Sequence, residues 1–348
     1  MKSFEKQYLD NLPIPHRLLT LIRQIGEYKG KQDLYRQQAP EMLENLRHVA
    51  MIQSTESSNR LEGITADFKR IKEIVEEKTA PANRSEGEIA GYRDVLSTIH
   101  TNWEHIPFRD GVVLQLHRDL MKYTGKEGGR WKSTGNEITE TLPDGSKRVR
   151  FVPVEPHLTP EFMRLLHERF DLYFTAGSHD PLLLIPLYVL DFLCIHPFLD
   201  GNGRMARLLT VLMLYQNGYE VGRYISLERI VEQTKESYYD TLYRSSQGWH
   251  NGKHDSLPWV EYFLSTILAA YREFEARVGA VSSGHGSKTE MVVSAIDSFI
   301  GDFTISDIEK ACPAVGRDWI RTLLQRLKTE GKVESLGKGR YARWRKIQ

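Results

Sequence analysis

Cysteine is nearly absent from this sequence. The two thiols, Cys194 and Cys312, stand far apart and in unlike contexts. They can form neither a disulfide framework nor a thiolate metal site, and such sparse usage suits a reducing compartment. Residues 1–15 also lack the apolar segment of a secretory signal. We therefore expect a cytoplasmic protein.

An excess of one charge and a long hydrophobic run are missing as well. The 47 basic and 46 acidic residues nearly cancel, which argues against a chain dominated by attraction to nucleic acid or membrane. The most apolar stretch, residues 181–195, is interrupted by Pro186 and Asp191 and is too short to span a bilayer. It is typical of a buried core helix. The 348 residues exceed what one core usually supports, so we expect two or three modules.

What is present predicts a mainly α protein. Residues 1–110 carry apolar side chains at helical spacing, as in the segment RIKEIVEEK. Residues 130–156 differ, because polar and β-branched residues flank a Leu-Pro-Asp-Gly turn at 142–145, which predicts a β-hairpin. Helices resume at Thr159 and continue to about Arg277. The small, polar, glycine-rich residues 279–287 then predict a linker.

Twelve residues at positions 196–207, HPFLDGNGRMAR, concentrate groups that can hold a polyphosphate. They lie between two apolar helices, and a helix N-terminus with a glycine-rich backbone favours anions. Arg204 and Arg207 are spaced to reach the same phosphates. Asp200 is a hard oxygen ligand for Mg²⁺, and His196 supplies a base near neutral pH. The alternative is an ordinary turn followed by two surface arginines.

The twelve residues match in full the pattern H-P-F-x-D-G-N-G-R-x-x-R, so the chain resembles the Fic family over roughly residues 40–270. Members transfer AMP from ATP to a Ser, Thr or Tyr hydroxyl of a protein. The resemblance implies a Fic-fold helical core, ATP and Mg²⁺ as cofactors, and a target protein as partner. It implies His196 as the general base and Asp200 as the metal ligand. It also implies ATP contacts, with the two arginines on the β- and γ-phosphates, from Gly201, Asn202, Gly203, Arg204, Met205, Ala206 and Arg207.

The resemblance also implies functions for two further regions. The hairpin corresponds to the family's flap, which would align the target peptide along an edge formed by Asn136, Glu137, Ile138 and Thr139. Tyr238 and Tyr239 lie where relatives bind adenine, although their spacing alone would make both of them core residues. Ser246 stands where some relatives carry an asparagine.

Upstream, the segment SSNRLEG at residues 57–63 matches the family's inhibitory pattern through Ser58, Glu62 and Gly63. The resemblance implies that Glu62 pairs with Arg207 and keeps the γ-phosphate of ATP from its productive position. The alternative interpretation is a capping box, in which Asn59 and Glu62 begin a helix.

The C-terminal residues 288–348 read as helix, helix, helix, hairpin, and this order resembles a winged helix-turn-helix. Residues 317–348 hold ten Lys or Arg against three Asp or Glu, a balance that suits contact with DNA. The alternative is a protein-interaction module. We thus divide the chain into a helical region with the inhibitory motif (1–110), a Fic core (111–278), a linker (279–287) and a winged-helix-like domain (288–348).

The leading functional hypothesis is a Mg²⁺-dependent protein adenylyltransferase that is autoinhibited by Glu62. One alternative is removal of AMP, with Glu62 positioning a water, and another is transfer of a different phosphate-linked group. A third is a DNA-binding regulator whose Fic core mainly modifies itself. The resemblance is also compatible with a homodimer.

Overall fold

The computed structural model describes residues 2–38, 40–141, 145–282, 288–298, 302–312, 315–337 and 342–347. Helices dominate these ranges, as the sequence predicts, and the strands are confined to two small antiparallel sheets. None of the helices in the described ranges has both the length and the apolar character needed to cross a membrane.

Six helices precede the predicted hairpin: α1 (Lys6–Asp10), α2 (His16–Gln38), α3 (Pro40–Leu61), α4 (Phe68–Val75), α5 (Arg84–Asn102) and α6 (Asp110–Met121). Six more follow it: α7 (Thr159–Ala176), α8 (Pro181–Ile195), α9 (Asn202–Gln216), α10 (Leu227–Gln233), α11 (Lys235–Ser246) and α12 (Leu257–Ser282). Asp180 caps α8, and Pro181 occupies its first turn, where a missing N–H is harmless.

One hydrophobic core joins the N-terminal region to the rest of these helices. It includes Phe4, Leu18 and Tyr92 from residues 1–110 together with residues of α8, α9 and α12. Helix α8 is the centre of this core, because nearly all its side chains are buried. The apolar stretch at 181–195 is therefore a core helix, as predicted. Residues 1–110 and 111–278 share one core and so fold as one body.

The predicted hairpin is present. Strand β1 (Ile138–Thr141) pairs antiparallel with β2 (Lys147–Phe151), with Thr139 opposite Val149. The predicted turn residues 142–144 lie outside the described residues. The register is irregular between Ile138 and Thr139, which bends the strand where it leaves the helical core.

The C-terminal module has a hydrophobic core of its own. Its elements are α13 (Lys288–Ser298), β3 (Phe303–Thr304), α14 (Ile305–Ala311), α15 (Arg317–Thr329), β4 (Val333–Ser335) and β5 (Arg343–Lys346). The strands form one sheet in the order β3-β5-β4. The sequence predicts this order of three helices and a hairpin. Helix α12 extends four residues into the predicted linker, to Ser282, and residues 283–287 lie outside the described residues.

Candidate active site

The loop between α8 and α9 is held in one conformation by its own side chains. Asn202 donates to the Phe198 carbonyl at 2.7 Å and accepts from the Phe198 N–H at 2.9 Å. The Phe198 ring stacks on the His117 imidazole, with ring centroids 3.6 Å apart. His117 accepts from the Gly129 N–H at 3.0 Å and donates to the Asp200 carbonyl at 3.1 Å. The Asn202 side chain therefore holds the loop, and only its backbone remains for the predicted phosphate contact.

His196 closes α8 in the left-handed backbone conformation, with φ of 53°. The ring Nδ1 lies 3.3 Å from the Leu193 carbonyl. Because a carbonyl only accepts, Nδ1 carries the proton and Nε2 is left as an acceptor. Burial lowers the pKa of His196 from 6.5 to about 4, so its ring is neutral at pH 7. Nε2 is thus in the state that a general base requires.

A carboxylate covers the N-terminus of α9. Gly201 is the N-cap residue, with φ of 81°, and the first amide groups of the helix have no intrahelical acceptors. A Cβ atom at Gly203 would collide with Oε1 of Glu62, so this carboxylate lies directly over the glycine backbone. Glu62 thereby occupies the place where the positive end of the helix favours an anion.

Arg207 joins this carboxylate to the end of α3. Its Nη2 lies 2.7 Å from Glu62 Oε1 and 2.9 Å from the Ser58 carbonyl, and its Nε lies 2.8 Å from Ser58 Oγ. The guanidinium is buried, whereas the Glu62 side chain is 33% exposed. The structure thus contains the ion pair that the resemblance implies, and it adds Ser58 as a second partner.

The backbone at the end of α3 explains the spacing of the inhibitory motif. Gly63 adopts φ of 76°, its N–H donates to the Arg60 carbonyl, and the Ile64 N–H donates to the Asn59 carbonyl. This is a Schellman ending, in which glycine accepts the left-handed conformation directly after Glu62. The capping-box alternative is wrong, because Asn59 and Glu62 lie at the C-terminus of a helix.

Arg204 is fully buried, so the alternative of two surface arginines is also wrong. Its Nη1 lies 2.8 Å from Glu88 Oε2, and its Nη2 lies 3.4 Å from Asp200 Oδ1. Asp200 is more open and also meets Lys126, whose Nζ lies 2.5 Å from Oδ2. Although burial raises the pKa of Asp200, Lys126 and Arg204 lower it below its usual value. The Asp200 carboxylate is therefore ionised at neutral pH, while phosphate binding by Arg204 requires a change in its pairing with Glu88.

Asp200 can hold a divalent cation only together with ligands from a substrate. In the part of the chain that the structure describes, no three His, Cys, Asp or Glu side chains are grouped to bind a metal. Mg²⁺ is commonly bound by one or two carboxylates plus phosphate oxygens and water. The Lys126 ammonium already shows that Oδ2 of Asp200 accepts a positive partner. The donor set fits a metal that arrives with a nucleotide.

The side chains of Met205 and Ala206 face away from solvent, so the ATP contacts predicted for these positions would come from their backbone. Both side chains are buried in the hydrophobic core. The Met205 N–H is also used within α9, since it donates to the Gly201 carbonyl at 2.9 Å. These two positions anchor the helix on which the arginines stand.

The base of the hairpin touches the loop that carries His196. Asn136 donates to the Phe198 carbonyl at 3.1 Å, while Glu137 and Thr139 are exposed. Strand β2 packs on α11, because Arg150 donates to the Tyr239 carbonyl and lies over the Tyr243 ring, 4.7 Å from its centroid. The hairpin thus lies between the His196 loop and α11, with Glu137 and Thr139 exposed to solvent.

The structure separates the two predicted adenine-binding tyrosines. Tyr238 is 4% exposed and packs edge-on against Trp259 and Tyr262, so it is a core residue, as its spacing alone predicts. Tyr239 is 39% exposed and faces a cleft of about 360 Å³. Its hydroxyl donates to the Leu61 carbonyl at 3.1 Å, next to Glu62. Tyr239 therefore contacts the inhibitory helix and the cleft at once.

Several residues of this site were not predicted from the sequence, because no local motif marks them. Lys126 and Glu88 pair with the predicted metal ligand and phosphate ligand, and His117 holds the loop from outside. Lys132 donates to the Ile195 carbonyl. They stand 64 to 108 positions before His196, within charged or mixed segments. Their side chains meet the loop only because α5, α6 and the segment that follows α6 pack beside it.

Residues 107–214 match the sequence profile of the Fic/DOC family. The chain is 28% identical over 254 residues to protein adenylyltransferase Fic of Nematostella vectensis, covering 70% of this chain and 53% of the relative. It is 26% identical over 224 residues to protein adenylyltransferase Fic of Culex quinquefasciatus, covering 61% of this chain and 39% of the relative. The chain thus spans about half the length of these relatives, or less.

The fold is similar to solved structures of Fic proteins. A Fic family protein from Desulfovibrio desulfuricans superimposes with a TM-score of 0.62 at 23% identity, over 96% of this chain and 97% of the other. A Fic domain containing signaling protein from Bacteroides thetaiotaomicron gives a TM-score of 0.62 at 23% identity, over 76% of this chain and 100% of the other. At these identities the likeness establishes the fold alone.

Proposed function

We propose that this chain, which carries a Fic domain, is a Mg²⁺-dependent protein adenylyltransferase held inactive by Glu62. The observation that supports it most is the position of the Glu62 carboxylate, over Gly203 and 2.7 Å from Arg207. An anion from the chain itself occupies an anion site beside a neutral imidazole. Such a site is suited to a polyphosphate whose access is controlled.

The reaction follows from the groups around His196. A hydroxyl oxygen of a Ser, Thr or Tyr side chain attacks the α-phosphorus of ATP, and its proton passes to Nε2 of His196. The bond from the α-phosphorus to the oxygen bridging to the β-phosphate breaks, and pyrophosphate leaves. The products are an AMP ester of the protein and pyrophosphate. His196 can take the proton because Nδ1 is already committed to the Leu193 carbonyl.

Asp200 would hold Mg²⁺ that is bound to the nucleotide, and the bound ion would neutralise charge on the phosphates. The chain itself supplies the remaining charge. The backbone of Gly201 to Gly203 offers N–H groups at the start of α9, and Arg207 offers a guanidinium once Glu62 leaves it. Arg204 would add a second guanidinium after a change in its pairing with Glu88.

The exposed residues of β1 would align the target. In the described sheet β1 pairs only with β2, so its other edge can add an extended segment of a target through backbone hydrogen bonds. Tyr239 would meet the adenine in the cleft it shares with Arg60 and Glu232. We place the protein in the cytosol, where ATP and protein targets are available.

Removal of AMP is a second candidate, and the charge of Glu62 favours it. The Glu62 carboxylate acts electrostatically on His196 and opposes the lowering of its pKa by burial. A carboxylate that acts on the base in this way could orient a water in place of a target hydroxyl. An assay that uses the AMP-modified target as substrate distinguishes the two reactions, because only removal releases AMP from it.

The C-terminal module would contact DNA, but much of its basic charge is already neutralised. Arg317 pairs with Glu309, Arg321 with Asp318, and Arg345 with Asp302. Arg326 and Lys332 both pair with Glu330. These pairings reduce the charge available to a phosphate backbone, so we regard this contact as secondary to transfer.

The decisive experiment uses ATP labelled at the α-phosphate and the Glu62→Gly protein. Removing the carboxylate frees Arg207 and the start of α9, so self-modification and labelling of a target in lysate should rise clearly over wild type. Nucleotide affinity should change less than the rate does, because ATP can bind without its γ-phosphate in place. The matched variant is Glu44→Gly, which removes an exposed carboxylate near the other end of α3. No rise in a folded Glu62→Gly protein would contradict autoinhibition.

A further inference from the structure

The segment that leads into the flap is fastened to the backbone on both sides of His196. The Lys132 N–H donates to the Pro197 carbonyl at 2.8 Å, and the Lys132 ammonium donates to the Ile195 carbonyl at 3.1 Å. The same ammonium donates to Oδ1 of Asn136 at 2.9 Å. Asn136 completes the connection through the Phe198 carbonyl. Three carbonyls that flank the base are thus held by two residues at the foot of the hairpin.

Lys132 is unusual among the lysines that the structure describes because it is only 4% exposed. Its two described hydrogen-bond partners are uncharged, a peptide carbonyl and an amide oxygen. A lysine rarely pays this desolvation unless its charge or its donors are used. Burial lowers the pKa of Lys132 to about 8, against an opposing effect of Glu155, so the ammonium is mostly charged at pH 7.

His196 needs such support. Only two residues other than glycine have a positive φ in the described part of the chain, and His196 is one of them. That conformation costs free energy for a residue with a Cβ, so it persists only where its surroundings fix it. The carbonyl of Ile195 belongs to the peptide group that joins α8 to His196. A hydrogen bond to this carbonyl therefore fixes the orientation of the peptide plane that precedes His196, and with it the direction of the His196 side chain.

We propose that Lys132 is a positioning residue. Together with Asn136, it holds the His196 loop and the flap in one fixed relative position. The base and the edge that receives the target would then stand at a constant separation whichever target binds. This role rests on the proposed transferase function. Lys132 touches neither ATP nor the target; it acts through the backbone of residues 195–198 and through Asn136.

The test uses the full chain with Glu62→Gly as the parent, so that transfer can be measured. Lys132→Met keeps the length of the side chain but removes the charge and the donors. The kcat of AMP transfer should fall by roughly 10- to 100-fold, the cost of a base misplaced by about 1 Å, while the KM for ATP stays within about threefold. Lys132→Arg, which keeps charge and donors, should restore most of kcat. Lys122→Met, on an exposed lysine of the same segment, is the matched control.

A second measurement does not depend on activity. The histidine rings are labelled with ¹³C, and the His196 signal is assigned by its loss in His196→Ala. Since Lys132 lowers the pKa of His196, Lys132→Met should move the His196 titration to higher pH, whereas Lys122→Met should leave it in place. The acid limb of kcat/KM should move with it.

The outcomes distinguish the positioning role of Lys132 from the proposed transferase function. A folded Lys132→Met protein with parental kcat and an unmoved His196 titration would overturn the positioning role. A joint loss of melting temperature, ATP affinity and kcat that Lys132→Arg does not restore would also overturn it, in favour of a purely structural lysine. If the titration moves but the Glu62→Gly parent itself transfers no AMP, the positioning of His196 stands and the proposed transferase function fails.

Discussion

At the residue scale, the chemistry of the site depends on which polar atoms already have hydrogen-bond or ion-pair partners within the protein. Nδ1 of His196 is committed to a carbonyl, so Nε2 is free to accept a proton. The Asn202 side chain is committed to Phe198, so only its backbone can meet a phosphate. Arg207 is committed to Glu62 and Ser58 and becomes available only when α3 moves or Glu62 is removed. Of these three, only the ion pair between Glu62 and Arg207 must break in the transfer reaction that we propose.

The His196→Ala substitution tests the base alone. Transfer in a Glu62→Gly parent should fall by a factor on the order of a hundred to ten thousand, which is typical for loss of a general base. ATP binding should remain, because the phosphate contacts that we propose come from Gly203, Arg204 and Arg207. The measurement is single-turnover transfer beside equilibrium binding of a labelled ATP analogue. Transfer at the parental rate would remove His196 from the mechanism.

At the element scale, α3 is held in place by α10 as well as by Arg207. Glu232 of α10 accepts from Ser57 Oγ at 2.6 Å and from Arg60 Nη1 at 3.0 Å, one turn before Glu62. Tyr239 of α11 holds the same end through the Leu61 carbonyl. The Glu62 carboxylate thus stands at the end of a helix that several side chains fix. If it is inhibitory, as we propose, its release depends on the contacts of the whole helix.

Glu232→Gln should partly activate the enzyme even though Glu62 is unchanged. The amide keeps the shape but loses the charge that binds Arg60, and a hydrogen bond to a charged group contributes on the order of 1 kcal/mol or more. Self-modification should then rise by roughly fivefold, for about 1 kcal/mol of weakened closure. Glu44→Gln, which changes an exposed carboxylate near the start of α3, should leave the rate unchanged. Equal rates for Glu232→Gln and wild type would show that Arg207 alone holds α3.

At the scale of the whole molecule, the chain has two bodies with separate cores. The helical body extends from residue 2 to Ser282, and the C-terminal module packs around Ile308, Leu324 and Trp344. One described contact between them is the bond from Gln53 Nε2 to the Lys310 carbonyl, at 3.2 Å. Because Gln53 lies on α3, the module touches the helix that ends directly before Glu62, the glutamate that we propose is inhibitory.

Deleting residues 285–348 should leave self-modification of the Glu62→Gly protein intact, since the active site lies wholly within the first body. The chain that remains should melt cooperatively and bind ATP with parental affinity. A truncated protein that is folded by circular dichroism but does not bind ATP would show that the boundary is misplaced.

The protein should also lose stability in acid. Burial lowers the pKa of His117 and of His196 from 6.5 to about 4, and burial with two nearby arginines lowers that of His100 to about 3. Each ring is neutral in the folded state and binds a proton more readily when unfolded, so its contribution is complete above pH 6.5 and is lost as the pH falls toward 4. Each pH unit in this window costs on the order of 1 kcal/mol per ring. Urea unfolding at pH 7.5, 6 and 5 measures the loss, and a midpoint constant over this range would contradict it.

Local sequence predicted much of this protein. Apolar spacing identified the helices, a Pro-Gly turn between β-branched runs predicted the hairpin, and residues 196–207 predicted a loop at the start of a helix. Each of these depends on backbone preferences within a short segment. The inhibitory motif was also readable, although the capping-box alternative was open until Gly63 was seen to end α3.

Tertiary packing decided the rest. It buried Tyr238 and left Tyr239 at the cleft, although the two are neighbours on one helix. It placed Glu62 on Arg207 across 145 positions of the chain, and it brought Lys126, Lys132, Glu88 and His117 to the His196 loop. The sequence alone determined which groups can accept a proton, bind an anion or end a helix, because these are properties of single residues and their neighbours. Only the packing of α3, α5 and α6 around α8 and α9 decided which of them meet, because side-chain contacts between distant segments depend on how whole helices bury their apolar faces.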